Sequence, residues 1–227
     1  MQIQTINQAG TFTTEQNKVL RNTYMMLALT MIPTVIGAFV GTSMSFAFMA
    51  QSPIMSSLLM FAAMMGMMFA VTALRNSIWG VVALLGFTFM AGVFLGPILQ
   101  VALHFKNGAQ LIGMAAGGTG IIFFSLATIA TVTKKDFSFM GKFLFIGLIL
   151  LIVASLANLF FQVPAMSLTI SAIAVLIFSA YILYDVSRII HGGETNYVMA
   201  TLGLFLSIYN LFIHLLSLLM AFAGNRD

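Results

Sequence analysis

Seven long apolar runs, separated by breaks of only a few residues, constrain the fold of this chain more than any other feature. A helix needs about 20 mostly apolar residues to cross the hydrocarbon core of a membrane. The runs are continuously apolar rather than alternating, which excludes a closed β-barrel. The predicted spans are Tyr24–Met49, Pro53–Leu74, Ile78–Leu103, Leu111–Val132, Phe139–Phe161, Ala165–Tyr184 and Tyr197–Ala223.

The charge content supports the same interpretation. The 227 residues include nine Lys or Arg and five Asp or Glu, and 61% of the chain is hydrophobic. Soluble domains usually contain about 25% charged residues, so this chain cannot build a water-facing surface. The basic residues are scattered over short loops, which favours a role in topology over nucleic-acid binding. The sequence therefore predicts an all-α polytopic membrane protein, a seven-transmembrane-helix bundle.

The distribution of basic residues predicts the orientation of the bundle. If the N-terminus is cytoplasmic, seven basic residues lie on the cytoplasmic side and two on the opposite side, as the positive-inside rule requires. The seven are Lys18, Arg21, Arg75, Lys134, Lys135, Lys142 and Arg188, and the two are Lys106 and Arg226. We expect a cytoplasmic tail over residues 1–22, without a cleaved signal peptide, and one membrane domain over residues 23–227. The polar tail can be disordered.

The last span contains a stripe of small and polar residues on one helix face, because they recur at spacings of three and four. Lipid gives helices no hydrophobic reason to associate, so small and polar residues mark helix contacts. We therefore expect this stripe to face other helices and the seventh helix to lie at the centre of the bundle. Gly92-x-x-x-Gly96 and Gly113-x-x-x-Gly117 predict two further close contacts. The stripe consists of Asn196, Ala200, Gly203, Ser207, Asn210, His214, Ser217 and Ala221.

Three of the few charged residues lie close together in "YDVSRIIHGGETNY", which joins the sixth span to the seventh. Asp185 is the one carboxylate associated with a span, and Arg188 follows one helical turn later, so an ion pair between them is feasible. Two interpretations stay open. The pair either stabilises a helix end before a Gly-Gly turn, or it forms a gate or proton-sensitive site, since ionisable groups at membrane depth are functional candidates.

Motifs for catalysis are missing from the sequence. There is no second membrane aspartate, no His-Glu-x-x-His zinc motif and no Gly-x-Ser-Gly setting for an intramembrane serine protease. The last span has no lysine for a retinal Schiff base, and the absence of cysteine excludes thiolate chemistry. We expect a protein without catalytic residues, bound metal or cofactor.

Several segments resemble a known family. "YDVSRIIHGGETNYVMATLGLFLSIYNLFIHLLSLL" resembles the C-terminal signature of the Bax inhibitor-1 family of seven-span proteins. The segments "KVLRNTYMMLALT", "FLGPIL", "KKDFSFMGKFL" and "ANLFFQVPAM" resemble its bacterial YccA branch. The resemblance implies a bacterial inner-membrane protein with a periplasmic C-terminus. It also implies that the protein binds the ATP-dependent protease FtsH and its HflK–HflC partners, and restrains proteolysis as a slow substrate. The segment that the protease engages would be the tail, Met1 to Asn22.

The same resemblance implies an alternative function, a pH-sensitive calcium or cation leak channel. Family members described as leaks sense protons with two aspartates and an arginine. Asp185 matches the first aspartate, Arg75 matches the arginine approximately, and the second aspartate falls on Ser207. Because the carboxylate pair is incomplete, the sequence favours protease control over ion conduction. The candidate ion-sensing or proton-sensing residues are therefore Asp185, Arg188, Arg75 and Ser207.

Overall fold

The computed structural model describes the backbone of residues 2–133 and 135–224, and the side chains of residues 15–48, 51–133 and 135–224. Over this part of the chain the protein is a helical bundle. Seven of its helical segments are long and apolar enough to cross a membrane, which confirms the predicted architecture. The helices are α1 (Gln2–Ser43), α2 (Ala47–Gln51), α3 (Pro53–Leu74), α4 (Ile78–Phe94), α5 (Gly96–Leu103), α6 (Gly108–Thr133), α7 (Gly141–Phe161), α8 (Pro164–Ile190) and α9 (Tyr197–Gly224).

The C-terminal helix α9 lies at the centre of the bundle, as its polar stripe predicted. It contacts α1, α3, α4, α5, α6 and α8. Leu204 and Leu211 of α9 are fully buried, and the ring of Phe205 packs edge-on against Phe87 of α4 with centroids 5.9 Å apart. The Tyr209 hydroxyl donates a hydrogen bond of 2.9 Å to the Ala91 carbonyl of α4. These contacts make α9 the helix around which the others pack.

Helices α1 and α4 approach each other backbone to backbone. A Cβ on Gly37 of α1 would collide with the Phe89 carbonyl oxygen, and a Cβ on Gly92 of α4 would collide with the Thr34 carbonyl oxygen. Gly41 and Gly96 make the same kind of approach one turn further along. The predicted contact at Gly92-x-x-x-Gly96 is therefore present, because glycine alone leaves room for main-chain atoms of the facing helix.

The equivalent prediction for Gly113-x-x-x-Gly117 is wrong within this chain. A Cβ on either of these α6 glycines would meet no atom within 4 Å, and both residues are exposed. The two motifs share the same spacing, but only the first lies on a helix face that turns toward a neighbouring helix. Spacing alone does not reveal that orientation.

Two predicted spans end or break at places that specific side chains explain. The first span ends at Ser43 rather than Met49, and the Gln100 carboxamide donates hydrogen bonds to the carbonyls of Gly41, Thr42 and Met44 at this end. The third span is interrupted at Leu95, between α4 and α5. Pro97 follows this break in the first turn of α5, where its missing N–H removes one helical hydrogen bond.

The sixth span is longer than predicted. It continues to Ile190 instead of ending at Tyr184, so Asp185 and Arg188 lie inside α8 rather than in a connecting segment. The helix ends where Gly192 adopts a positive φ of 75°, a conformation that glycine adopts without the steric penalty of a side chain. The connection between α8 and α9 is therefore only residues 191–196.

The N-terminal segment, for which the sequence allows disorder, is part of helix α1. This helix extends over Gln2–Ser43 without interruption and contains the first membrane segment. Once a helix has formed, each added residue gains a hydrogen bond without a new nucleation cost. Two of the basic residues used for the orientation, Lys134 and Arg226, lie outside the described residues.

Candidate functional site

Asp185 of α8 and Ser207 of α9 face each other between the two helices. The Ser207 hydroxyl is 3.4 Å from Asp185 Oδ2. A Cβ on Gly203, one turn earlier on α9, would also stand 3.4 Å from that oxygen. Gly203 therefore lies directly beside the carboxyl group of Asp185. The structure thus brings together the two positions that the family resemblance paired.

Ser207 is a weak partner for this carboxyl group. Its hydroxyl has one proton, and it lies closer to the Gly203 carbonyl, at 3.1 Å, than to Asp185 at 3.4 Å. A serine hydroxyl in a helix commonly donates to the carbonyl four residues earlier. The serine thus stands where a second carboxylate would complete the pair, and it supplies at most a shared hydrogen bond.

Arg188 pairs with Glu194 in place of the predicted ion pair with Asp185. Its Nη2 is 3.7 Å from Glu194 Oε2 and donates a hydrogen bond of 3.0 Å to the Gly193 carbonyl. The guanidinium also lies over the Tyr184 ring, 5.5 Å from its centroid. These contacts hold the arginine at the connection between α8 and α9. Because both charged groups are partly exposed, water screens this ion pair and reduces its strength.

Asn196 joins the start of α9 to the end of α3. Its Oδ1 accepts hydrogen bonds from the N–H groups of Val198 and Met199, at 3.0 and 3.1 Å, which is a helix N-cap. Its Nδ2 donates to the Arg75 carbonyl at 3.1 Å and to Asn76 Oδ1 at 2.9 Å. The main chain of Arg75 therefore lies near α9. The Arg75 side chain is exposed, so the structure does not support a contact between this side chain and Asp185.

Ser187 was not singled out in the sequence, yet it organises the connection between α6 and α7. This fully buried hydroxyl accepts a hydrogen bond of 2.9 Å from the Phe137 N–H and lies 3.3 Å from the Lys135 carbonyl. In the same connection, hydrogen bonds from Ser138 lower the pKa of Asp136. The connections that precede α7 and α9 are thus both attached to the last two turns of α8.

The remaining stripe residues support packing of α9 against α8. His214 Nδ1 lies 3.2 Å from the Ser171 hydroxyl of α8, and the imidazole stacks on Phe178 of the same helix with ring centroids 6.2 Å apart. The Asn210 carboxamide instead donates to the Leu206 carbonyl of its own helix at 2.8 Å. Asn210 thus satisfies part of its hydrogen-bonding capacity locally, whereas Gly203, Ser207 and His214 face α8.

The described residues contain no cluster of three or more His, Asp or Glu side chains that could hold a metal ion. Among the described residues, the Asp185 carboxyl group lies beside Gly203 and Ser207 at the contact between α8 and α9. The ion pair of Arg188 and Glu194 joins the end of α8 to the connection that follows it. The geometry is that of a helix contact that contains one carboxyl group and one histidine.

Comparison with known proteins identifies the family. Residues 16–224 match the family model described as "Inhibitor of apoptosis-promoting Bax1". The chain is 42% identical over 203 residues to "Modulator of FtsH protease YccA" of Escherichia coli K12, covering 89% of this chain and 90% of that protein. It is also 41% identical over 222 residues to an uncharacterised Pseudomonas aeruginosa protein, covering 98% and 97% of the two chains. These matches place the chain in the Bax inhibitor-1 family, with YccA among its relatives.

Proposed function

We propose that this protein is an inner-membrane modulator of the FtsH protease. It binds FtsH together with HflK–HflC, is itself degraded slowly, and thereby delays the turnover of other membrane proteins. It performs no catalysis of its own. The observation that carries the proposal is the 42% identity to the E. coli FtsH modulator over nine tenths of both chains.

The first helix provides a physical basis for this function. Residues 2–14 of α1 precede the apolar part of this helix, and they add about 20 Å of helix at 1.5 Å per residue. A protease that pulls on an N-terminal segment would have to unwind this helix first. The proposed orientation, with the N-terminus in the cytoplasm and the C-terminus in the periplasm, places the segment on the cytoplasmic side.

Packing of α1 would resist further pulling. The helix contacts α4, α5, α8 and α9, and its Gly37 and Gly41 lie directly against the α4 backbone. The Gln16 side chain also lies against Gly192, in the connection between α8 and α9, 3.0 Å from the position of a Cβ on that glycine. Extracting α1 would break all of these contacts at once. A chain held in this way occupies the protease for longer than one whose first helix is loosely packed.

Co-purification tests the binding step. The full-length protein with a C-terminal tag is isolated from membranes that contain FtsH and HflK–HflC, and compared with a variant that lacks residues 2–14. We expect FtsH to be retained by the full-length protein and lost from the shortened one. A variant that lacks residues 225–227 is the matched control, and it should retain FtsH.

Turnover of a known FtsH membrane substrate tests the modulating step. We expect the half-life of that substrate to lengthen when the full-length protein is overproduced and to stay unchanged with the variant lacking residues 2–14. Unchanged substrate half-life with the full-length protein, at a level where it co-purifies with FtsH, would refute the proposal.

A further inference from the structure

A long cavity separates α1 from α6. It has a volume of about 1100 Å³, and residues of α1, α5, α6 and α9 line it. On α1 the lining extends from Tyr24 to Thr42, and on α6 from Ile112 to Val132. Five large apolar lining residues are exposed, so the cavity opens sideways into the membrane. These residues are Val35, Phe39, Leu103, Phe124 and Val132.

The wall of this groove is chemically apolar. Most of its lining side chains are aliphatic or aromatic. Four lining threonines donate their hydroxyl groups to carbonyls of their own helices, as helical threonines commonly do, and therefore need no polar ligand. They are Thr34, Thr42, Thr119 and Thr131.

The groove extends along most of the hydrocarbon core. From Tyr24 to Thr42 it is about 27 Å long at 1.5 Å per residue, close to the thickness of the hydrocarbon core, about 30 Å. Its apolar wall and its opening toward the membrane suit the acyl chains of a lipid.

Basic side chains at one end indicate where a headgroup would lie. Tyr24 lines this end of the groove, and its hydroxyl is enclosed by protein atoms. Arg21 precedes Tyr24 by three residues and so lies on the same face of α1. Lys135 follows the end of α6, and both basic side chains are exposed at this end.

We propose that the α1–α6 groove binds one anionic phospholipid, independently of the proposed protease function. Its acyl chains lie along the apolar wall, and the phosphate lies beside Arg21 and Lys135. The groove supplies the hydrophobic contact, and the basic residues supply the preference for negative charge.

Native mass spectrometry of the purified protein, titrated with phosphatidylglycerol or phosphatidylethanolamine, tests this site. Gly120 lines the groove, and a Cβ there meets no atom within 4 Å, so Gly120→Leu should fold and fill the groove. We expect its affinity for phosphatidylglycerol to fall about tenfold, equivalent to displacing about two buried methylene groups. Gly113→Leu is the matched control, because Gly113 lies on the same helix, also faces open space and does not line the groove. It should bind as the wild type does.

A further variant tests the headgroup end. Arg21→Gln should remove a preference for phosphatidylglycerol of about fivefold and leave phosphatidylethanolamine binding unchanged. Equal phosphatidylglycerol affinity in the wild type, Gly120→Leu and Gly113→Leu would overturn the proposal. So would spectra in which Gly120→Leu separates a dimer without changing lipid binding, because a second copy would then occupy the groove.

Discussion

Replacing Gly92 with alanine tests the backbone contact between α1 and α4, on which the proposed resistance to extraction depends. A Cβ at position 92 would collide with the Thr34 carbonyl oxygen and stand 3.0 Å from the Ala38 nitrogen. These are main-chain atoms, so no side-chain rotation can relieve the overlap. The two helices must therefore move apart, and the contacts along their crossing are weakened.

Gly113→Ala provides the reference that isolates this effect. Both substitutions replace a helical glycine with alanine, which favours the helix by up to about 1 kcal/mol. At position 113 the new methyl group meets no atom within 4 Å, so only this gain remains. At position 92 overpacking adds a penalty of about 1–3 kcal/mol. The free energies of unfolding of the two variants should therefore differ by about 1–3 kcal/mol, with Gly92→Ala the less stable.

Two assays measure the consequence. Unfolding of each purified variant by titration with a denaturing detergent gives the difference in stability. Degradation by FtsH in proteoliposomes with ATP gives the functional effect, and we expect Gly92→Ala to be degraded faster than Gly113→Ala, because α1 is held less tightly. Equal stability of the two variants would refute the backbone contact. Lower stability of Gly92→Ala with an unchanged degradation rate would refute the link between α1 packing and slow proteolysis.

Three other predictions concern the α8–α9 region and the topology. Asn196→Ala removes the N-cap of α9 and should lower the free energy of unfolding by about 1–2 kcal/mol; Asn107→Ala, at an exposed position, should change it little. Ser207→Asp places a second carboxylate opposite Asp185, where two like charges resist joint ionisation. The rate of calcium leak into dye-loaded vesicles that contain this variant should then differ between acid and neutral pH. Ser207→Asn is the control, because asparagine has the shape of aspartate without its charge. Equal leak rates for the two variants would contradict the prediction. Alkaline phosphatase fused after Gly224 should be active if the C-terminus is periplasmic, whereas a fusion after Thr133 should be inactive, and the reverse pattern would contradict the proposed orientation.

The seven spans and the central position of α9 could be predicted from the amino-acid sequence alone. Span length follows from the thickness of a bilayer, so apolar runs are visible without any knowledge of packing. The polar stripe of α9 could be recognised because small and polar residues are expensive to expose to lipid. The family resemblance likewise depended on contiguous sequence segments, which can be recognised before any distance is known.

Which of several equivalent local patterns makes a contact depends on how the helices pack, and this could not be predicted from the sequence. Gly92-x-x-x-Gly96 and Gly113-x-x-x-Gly117 have the same spacing, but the first faces the α1 backbone and the second faces open space. Arg188 had a carboxylate three residues before it and another six residues after it, and it pairs with the second because the chain turns at Gly192. The α1–α6 groove has no signature in the sequence at all. Its walls come from helices far apart in the chain, and the space between them depends on how both pack against α9.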